Sequence, residues 1–274
     1  MAKKDKVSTE WDEASGPWAN FVREGKDYYR DEMNNPAAFE IIGNVKSKQV
    51  LDLSCGEGYN TRILAERGAK VVGVDFSAEM IELAKRVEKR ERLGIKYCVS
   101  DAADLKKFEN GRFDVVTCFM ALMDIENYED AISEVSRVLK KNARFVFSIT
   151  HPCFEYGLTI GGESIADWKY EGEMDNQAEK KALCLEIKNY FYAAKCDVSW
   201  TMERLARPFK TTSFHRTLTD YFQALYKNSF LVMRLIEPRP TSRGVSKYPP
   251  LRKHMKIPHS IIFEAVKSDR TGYN

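Results

Sequence analysis

The chain has 274 residues, 43% of them hydrophobic, enough for one sizeable core with an appended subdomain. No apolar run approaches the about eighteen residues that a membrane-spanning helix needs, and the opening MAKKDKVSTE lacks the apolar stretch of a secretory leader, so a cytoplasmic protein with no membrane partner is expected. The net charge is only +3 but uneven: Glu155 to Glu186 is acidic (Glu163, Asp167, Glu171, Glu173, Asp175, Glu179), while in Arg204 to Lys256 only Asp220 and Glu237 oppose many Lys and Arg. The two segments could face each other, but separate solvation or pairing explains such runs more simply than a nucleic-acid surface does. The six cysteines show neither C-x-x-C pairs nor His at zinc spacing, and read as reduced structural thiols with no metal site.

Taken in order, Lys3 to Lys6 reads as a frayed tail, and aromatics then recur at Trp11, Trp18, Phe21, Tyr28 and Tyr29 before the turn-like Asn34 and Asn35. Pro36 starts a helix predicted over Ala37 to Asn44. Val50 to Leu53, interrupted by Asp52, and Val71 to Val74, closed by Asp75, have the character of buried parallel strands. Between them lie Cys55, Gly56, Glu57, Gly58 and Tyr59, then a helix over Thr61 to Arg67 stopped by Gly68. Glycines let backbone approach a ligand closely, and an acid at the tip of the second strand, roughly twenty residues on, can accept hydrogen bonds from ribose hydroxyls. A nucleoside-containing cofactor is therefore expected. NAD is disfavoured, because Thr61 stands where a dinucleotide fingerprint wants its third glycine and Asp52 would repel a pyrophosphate. The same carboxylate suits a cationic cofactor such as S-adenosylmethionine, which carries an ammonium and a sulfonium.

Further on, Ser77 caps a helix over Ala78 to Arg90 that turns Met80, Ile81, Ala84 and Val87 to one side. Strands are predicted at Ile95 to Val99, Phe113 to Phe119 and Arg144 to Ile149, and a helix at Tyr128 to Lys140 ended by Asn142. A helix at Leu218 to Tyr226 and strands at Phe230 to Ile236 and Ser260 to Val266 close the pattern. The fold class is α/β: a doubly wound, mostly parallel seven-stranded sheet. Residues 151–214 interrupt it, with alternation at Leu183, Leu185, Ile187, Tyr190 and Tyr192 that suggests antiparallel strands.

The ordered run VLDLSCGEGYNTRILAERGA followed by VVGVDFSAEMIELAK resembles the class I S-adenosylmethionine-dependent methyltransferases of the broad small-molecule (type 11, UbiE-like) group. Their first motif reads acid-x-Gly-x-Gly-x-Gly; here Asp52, Ser54, Gly56 and Gly58 stand in it, with serine for the first glycine. HPCF at His151, FHRTL at Phe214, EP at Glu237 and IPHSIIFEAVK at Ile257 extend the resemblance over nearly the whole chain. It implies a Rossmann-like domain that binds S-adenosylmethionine and releases S-adenosylhomocysteine. Asp52, Ser54, Gly56 and Gly58 would border the cofactor, Asp75 its ribose, and Phe76 and Met80 its adenine. Asp101 would meet the adenine amino group and the Ala102 N–H a ring nitrogen, although Asp101 could instead cap a short helix from Ala102 to Leu105. Tyr29, with Tyr28 and Arg30, would reach the methionine end, and Phe119, with Met120 to Met123, would line the space between cofactor and substrate.

The resemblance further implies a helical lid (1–45), a cofactor-binding core (46–150), an inserted substrate cap (151–214) and the closing part of the sheet (215–274), with Pro238 to Pro258 as a further wall. Positioning supplies much of the rate of an in-line methyl transfer. Where the acceptor must lose a proton, His151 is the expected base, with His215 and Tyr192 as weaker candidates. The Asn-Pro-Pro-aromatic sequence of many nucleobase amino-methylating enzymes does not follow Phe119. The expected reaction is methyl transfer to an O, N or C atom of a small molecule. An RNA or protein methyltransferase, or a non-catalytic S-adenosylmethionine-binding protein, are the alternatives.

Overall fold

The computed structural model describes residues 6–171, 182–202 and 205–268. Glu173, Asp175, Glu179, Arg204 and the tail before Lys6 lie outside them. The chain opens with helix α1 (Lys6–Arg23), a π-turn at Arg30–Asn34 and helix α2 (Asn35–Ile42), in which Pro36 occupies the first turn and Gly43 ends the helix at φ +61°. Alternating strands and helices follow: β1 (Gln49–Leu53), α3 (Tyr59–Glu66), β2 (Lys70–Asp75), α4 (Ala78–Glu91), β3 (Lys96–Val99), β4 (Phe113–Phe119), α5 (Tyr128–Val138) and β5 (Leu139–Thr150). Six cap strands come next: β6 (Leu158–Ile160), β7 (Glu163–Ser164), β8 (Ala166–Tyr170), β9 (Ala182–Ile187), β10 (Ala194–Trp200) and β11 (Phe209–His215). Helix α6 (Leu218–Lys227), β12 (Phe230–Ile236), α7 (Ser242–Lys247) and β13 (Ser260–Lys267) complete it.

The main sheet has seven strands in the order β12-β13-β5-β4-β1-β2-β3. β1 to β5 are parallel to one another, and β13 runs antiparallel between β5 and β12. The strand order reverses between β1 and β4, so the crevice outside their carboxyl ends is the switch point where such sheets bind ligands. Apolar runs hold the sheet between two helical layers. Leu51, Leu53, Phe113, Val116, Phe145, Phe147 and Phe263 pack with α5 and α6 on one face, and Val50, Val71, Val115, Val146 and Ile262 with α2, α3 and α4 on the other. The Phe147 and Phe263 rings stack at 4.7 Å across the β5–β13 pairing. Burying each such ring contributes about 1.5–3 kcal/mol.

Two local expectations differ from the structure. Helix α5 ends at Val138 and the chain enters β5 at once, so Asn142, at φ +57°, lies inside the strand rather than at a helix end. Lys140 to Ala143 stand against the single residue Asp114 between the pairings Phe113–Leu139 and Val115–Arg144, a bulge that the helix-like apolar spacing conceals. The short helix after Asp101 is a turn instead, in which the Asp101 carboxylate accepts the Ala103 N–H at 2.9 Å.

The inserted segment is antiparallel as expected: β9 joins β8 in a two-stranded ribbon, and β10 lies between β11 and β6 in a second sheet that ends at β7. Helix α1 and the inserted strands, the expected lid and cap, hold each other. Trp11 and Trp18 of α1 meet Trp200 and Phe209 edge-on or tilted at 5.2 to 6.5 Å, and Glu10 accepts hydrogen bonds from Thr212 N and Oγ1. The acidic run pairs with its own lysines, through Lys169–Glu186 and Lys188–Asp167. In the basic run, Arg234 is held by Glu264 and Arg243 by Glu32.

Candidate active site

The turn after β1 is built by local backbone needs. Ser54 (φ +53°), Gly56 (φ +55°) and Gly58 (φ +84°) are all left-handed, so the serine in the place of a glycine adopts a conformation that L-residues rarely take. Gly56 and Gly58 are required for different reasons. A Cβ at Gly56 would meet nothing within 4 Å, and its backbone borders open space. A Cβ at Gly58 would stand 2.4 Å from the Tyr97 hydroxyl. Gly58 therefore serves packing, and it is the one residue of the expected cofactor set that does not line the cavity described below.

Two buried acids hold the turn together. Asp75 accepts the N–H of Gly56 at 2.8 Å through one carboxylate oxygen and that of Ser77 at 2.9 Å through the other. Asp52 accepts the hydroxyls of Thr61 at 2.6 Å and Thr117 at 2.8 Å, tying α3 and β4 to β1. Thr61, fully buried, thus occupies the third-glycine position with a structural hydroxyl bond. Burial pushes both carboxyls up to about 6, against the lowering effect of these hydrogen bonds. Asp12 of the lid accepts the Ser77 hydroxyl at 2.6 Å, and buried Glu57 pairs with Arg23 of the lid and Arg62 of α3.

A cavity of about 750 Å³ runs from this turn across the switch point to the cap. Asp52, Ser54, Gly56, Asp75, Phe76, Met80, Asp101, Ala102, Phe119 and Tyr29 all line it, so ten of the eleven residues expected at a cofactor share one space. Tyr29 stands against His259 with ring centroids 4.9 Å apart, and the Arg30 guanidinium lies 3.7 Å over the Tyr59 ring. The wall between Pro238 and Pro258 contributes Lys247, Tyr248, Pro249 and Pro250. Buried Asp52 and Asp75 and an open glycine backbone beside them suit a cationic nucleoside far better than a pyrophosphate. No cluster of metal-ligating side chains exists among the described residues.

The two expected bases do not reach the cavity. His151, buried, takes the Cys153 N–H on Nδ1 at 3.2 Å and bonds Glu237 through Nε2 at 2.9 Å. Nδ1 is therefore unprotonated and capping, Nε2 carries the proton, and burial lowers the ring's affinity for a second one. His215 has both nitrogens on acceptors, Glu155 at 2.8 Å and the Tyr190 carbonyl at 2.8 Å. Burial opposes its charge, but those acceptors win and raise its pKa, leaving an imidazolium paired with Glu155. Tyr192 is exposed. Both histidines have the residue type and the strand-end position of a base; beside the local Cys153 N–H on His151, the partners that occupy them, Glu237, Glu155 and the Tyr190 carbonyl, come from distant segments.

Residues that sequence reasoning passed over also line the cavity: Asp124, Glu155, Tyr156, Leu158, Val198, Ser213 and His259. Asp124 lies one residue beyond the expected Phe119 to Met123 wall and was the nearest to being found. The others come from cap and hairpin segments that only folding brings together.

Residues 51–147 match the family described as a methyltransferase domain. The chain is 30% identical over 184 residues to a ubiquinone biosynthesis O-methyltransferase of Pelagibacter ubique, covering 64% of this chain and 75% of that one. It is 34% identical over 132 residues to the Coxiella burnetii protein of the same name, where the match covers 47% of this chain and only 56% of the relative. Its fold is similar to that of an S-adenosylmethionine-dependent methyltransferase from Mesorhizobium loti, with a TM-score of 0.65 and 22% identity over 84% of this chain and 96% of the other. A switch-point cavity beside a glycine turn and a strand-end aspartate defines a nucleoside-binding α/β enzyme. With the sequence match, the chain belongs to the class I S-adenosylmethionine-dependent methyltransferases. It is an enzyme that uses S-adenosylmethionine as methyl donor.

Proposed function

We propose that this enzyme methylates a small molecule bound under the cap. The observation that carries the reading is the single cavity, open to the glycine turn at one end and walled at the other by Leu158, Val198 and Ser213 of the cap and by the lid. A space of about 750 Å³ has room for the cofactor and one compact acceptor. The quinone-biosynthesis enzymes among its relatives, named for a small-molecule pathway, support the same class.

In this reading Asp75 holds the ribose hydroxyls on lone pairs not used by Gly56 and Ser77. Asp101 and the Ala102 N–H meet the adenine edge, and Phe76 and Met80 border its faces. Ser54, Gly56, Tyr29 and Phe119 enclose the methionine end, while Asp52 acts from behind the turn by fixing its shape and adding negative potential. Gly58 contributes through packing. When bound, the cofactor supplies an electrophilic methyl group. The protein's part is to hold acceptor and methyl in line and to exclude water, worth roughly 7–11 kcal/mol when the alignment is good.

The test is calorimetric titration with S-adenosylmethionine and S-adenosylhomocysteine, then tritiated-methyl transfer into fractionated cell extract. Stoichiometric binding and label in a small-molecule fraction are expected. Label in RNA or protein, with a strongly salt-dependent association, would instead assign the basic C-terminal third to a macromolecular substrate. Stoichiometric binding with no labelled product would make the chain a cofactor-binding protein.

A further inference from the structure

The cap end of the cavity holds two carboxylates in contrasting states. Glu155 is compensated: Thr150 donates to one oxygen and the His215 imidazolium to the other at 2.8 Å. Asp124 is not. It lies in the turn Leu122–Asp124 at the exit of β4, and Met120, Met123, Leu158, Val198 and Ser213 line the same cavity. Cross-strand pairing sets those cap residues close together, with Val198 opposite Leu158 and Cys196 opposite Ser213.

Arg216 is the cation next to this turn, and its donors are spent elsewhere. Its guanidinium reaches the carbonyls of Leu122 (3.4 Å), Ile125 (2.7 Å) and Glu126 (3.0 Å) and lies 4.1 Å over the Tyr128 ring. It fixes the turn that presents Asp124 without forming an ion pair with it. The other charged or titratable groups that act on or feel Asp124 are Glu155 with its partner His215 from the cap, Tyr221 of α6 and Cys118 of β4. The Ser213 hydroxyl donates to the Met123 carbonyl at 3.4 Å and stands near enough to Asp124 to lower its pKa, and Asp124 forms no ion pair among the described residues.

We propose that the methyl acceptor is a small amine whose ammonium group docks on Asp124 and gives its proton to that carboxylate. This rests on the small-molecule methyltransferase reading of the same cavity. An ammonium is the group that neutralises this carboxylate and satisfies its free lone pairs; an alcohol supplies one hydrogen bond and no charge, and an acid is repelled. The step balances. One ammonium N–H bond breaks and its proton goes to an Asp124 oxygen, freeing the nitrogen lone pair. That pair forms the N–C bond as the C–S bond of the sulfonium breaks, its electrons returning to sulfur as a neutral thioether; the product leaves as the methylated ammonium, and Asp124 returns its proton to water. Burial, reinforced by the charge of Glu155 and countered by Ser213 and Arg216, pushes the Asp124 carboxyl up to about 7, which matches it to accepting a proton at neutral pH.

The test titrates the S-adenosylhomocysteine-loaded enzyme by calorimetry with phenethylamine and with its near-isostere 2-phenylethanol. At pH 8 the amine is expected to bind at least tenfold more tightly. Between pH 8 and pH 6 its affinity should fall about tenfold, as a carboxyl of pKa about 7 takes up its proton. Asp124→Asn should abolish both the preference and the pH dependence while keeping S-adenosylhomocysteine affinity and melting temperature. Ser213→Ala, which removes the hydroxyl that lowers the carboxyl's pKa, should move the pH midpoint upward and serves if the first variant misfolds. Equal binding of amine and alcohol, no amine binding at millimolar concentration, or a preference that survives in Asp124→Asn would overturn the proposal. Failure of S-adenosylhomocysteine itself to bind would instead overturn the cofactor reading of the cavity.

Discussion

The two ends of the cavity are built on different principles. At the end proposed for the nucleoside, contiguous segments of chain border the cavity: the left-handed Ser54 and Gly56, an aspartate at the tip of β2, and Asp101 and Ala102 after β3. At the acceptor end, side chains from the β4 exit, the cap sheet and the β5 exit converge from segments far apart in sequence. The first end is a fixed mould in which small changes of backbone are costly. The second is a wall of interchangeable side chains, which is where substrate choice can change without disturbing the sheet.

The largest expected effect lies at the first end. Asp75→Ala removes charge-assisted bonds to the ribose, each worth about 1.5–3 kcal/mol, so a loss of 100-fold or more in S-adenosylmethionine affinity is expected, measured by calorimetry on a variant whose near-ultraviolet circular dichroism remains native. Unchanged affinity would remove Asp75 from the ribose.

Next comes a contrast within the turn. Gly58→Ala forces a methyl into the Tyr97 ring at a φ of +84°, and a stability loss of about 2–4 kcal/mol is expected in urea unfolding. Gly56→Ala has room in the protein but points toward the ligand, so it should lose mainly cofactor affinity, with about 1 kcal/mol of backbone strain. Equal stability losses in both would erase the distinction between packing and ligand approach.

A third test concerns pH. The carboxyls of Asp52 and Asp75 (about 6) and Asp124 (about 7) are raised above their unfolded values, so the folded state binds more protons between roughly pH 4 and 7. Their contribution is fully present below the unfolded pKa and is lost as pH rises through 6 and 7. These three carboxyls should therefore cost the ligand-free protein on the order of 1.4 kcal/mol for each pH unit above pH 5 over which one of them stays protonated only in the folded state, measured by urea unfolding, and the cationic cofactor should offset part of that loss. Burial of His151, His254 and His259 in the neutral form acts in the opposite sense up to about pH 6.5, so the acids are isolated by comparison with Asp124→Asn, in which the loss from pH 5 to pH 8 should be smaller than in the parent; an identical pH dependence in the two would mean that Asp124 is compensated in the folded chain.

The smallest effect expected is at the histidine nominated by its position. With Nδ1 capping the Cys153 N–H and Nε2 on Glu237, His151→Gln should change turnover by less than about threefold while costing about 1 kcal/mol of stability. A hundredfold fall in turnover with unchanged melting temperature would return it to the catalytic role.

The sequence by itself determined the sheet, its seven strands and the class of cofactor. Apolar runs of strand length, glycines at a turn and an acid at a strand tip act within a few residues of one another, and their local physics does not wait for the rest of the fold. The Val138 to Arg144 boundary was misread because apolar spacing cannot distinguish a helix end from a bulged strand. Tertiary structure alone decided the acceptor end. Whether His151 or His215 is free depends on Glu237, Glu155 and the Tyr190 carbonyl, which lie distant in sequence, and whether Asp124 is compensated depends on where Arg216 spends its donors. Availability of a side chain is a property of its partners, and those partners are assembled only when β4, β5, the cap and the closing hairpin come together.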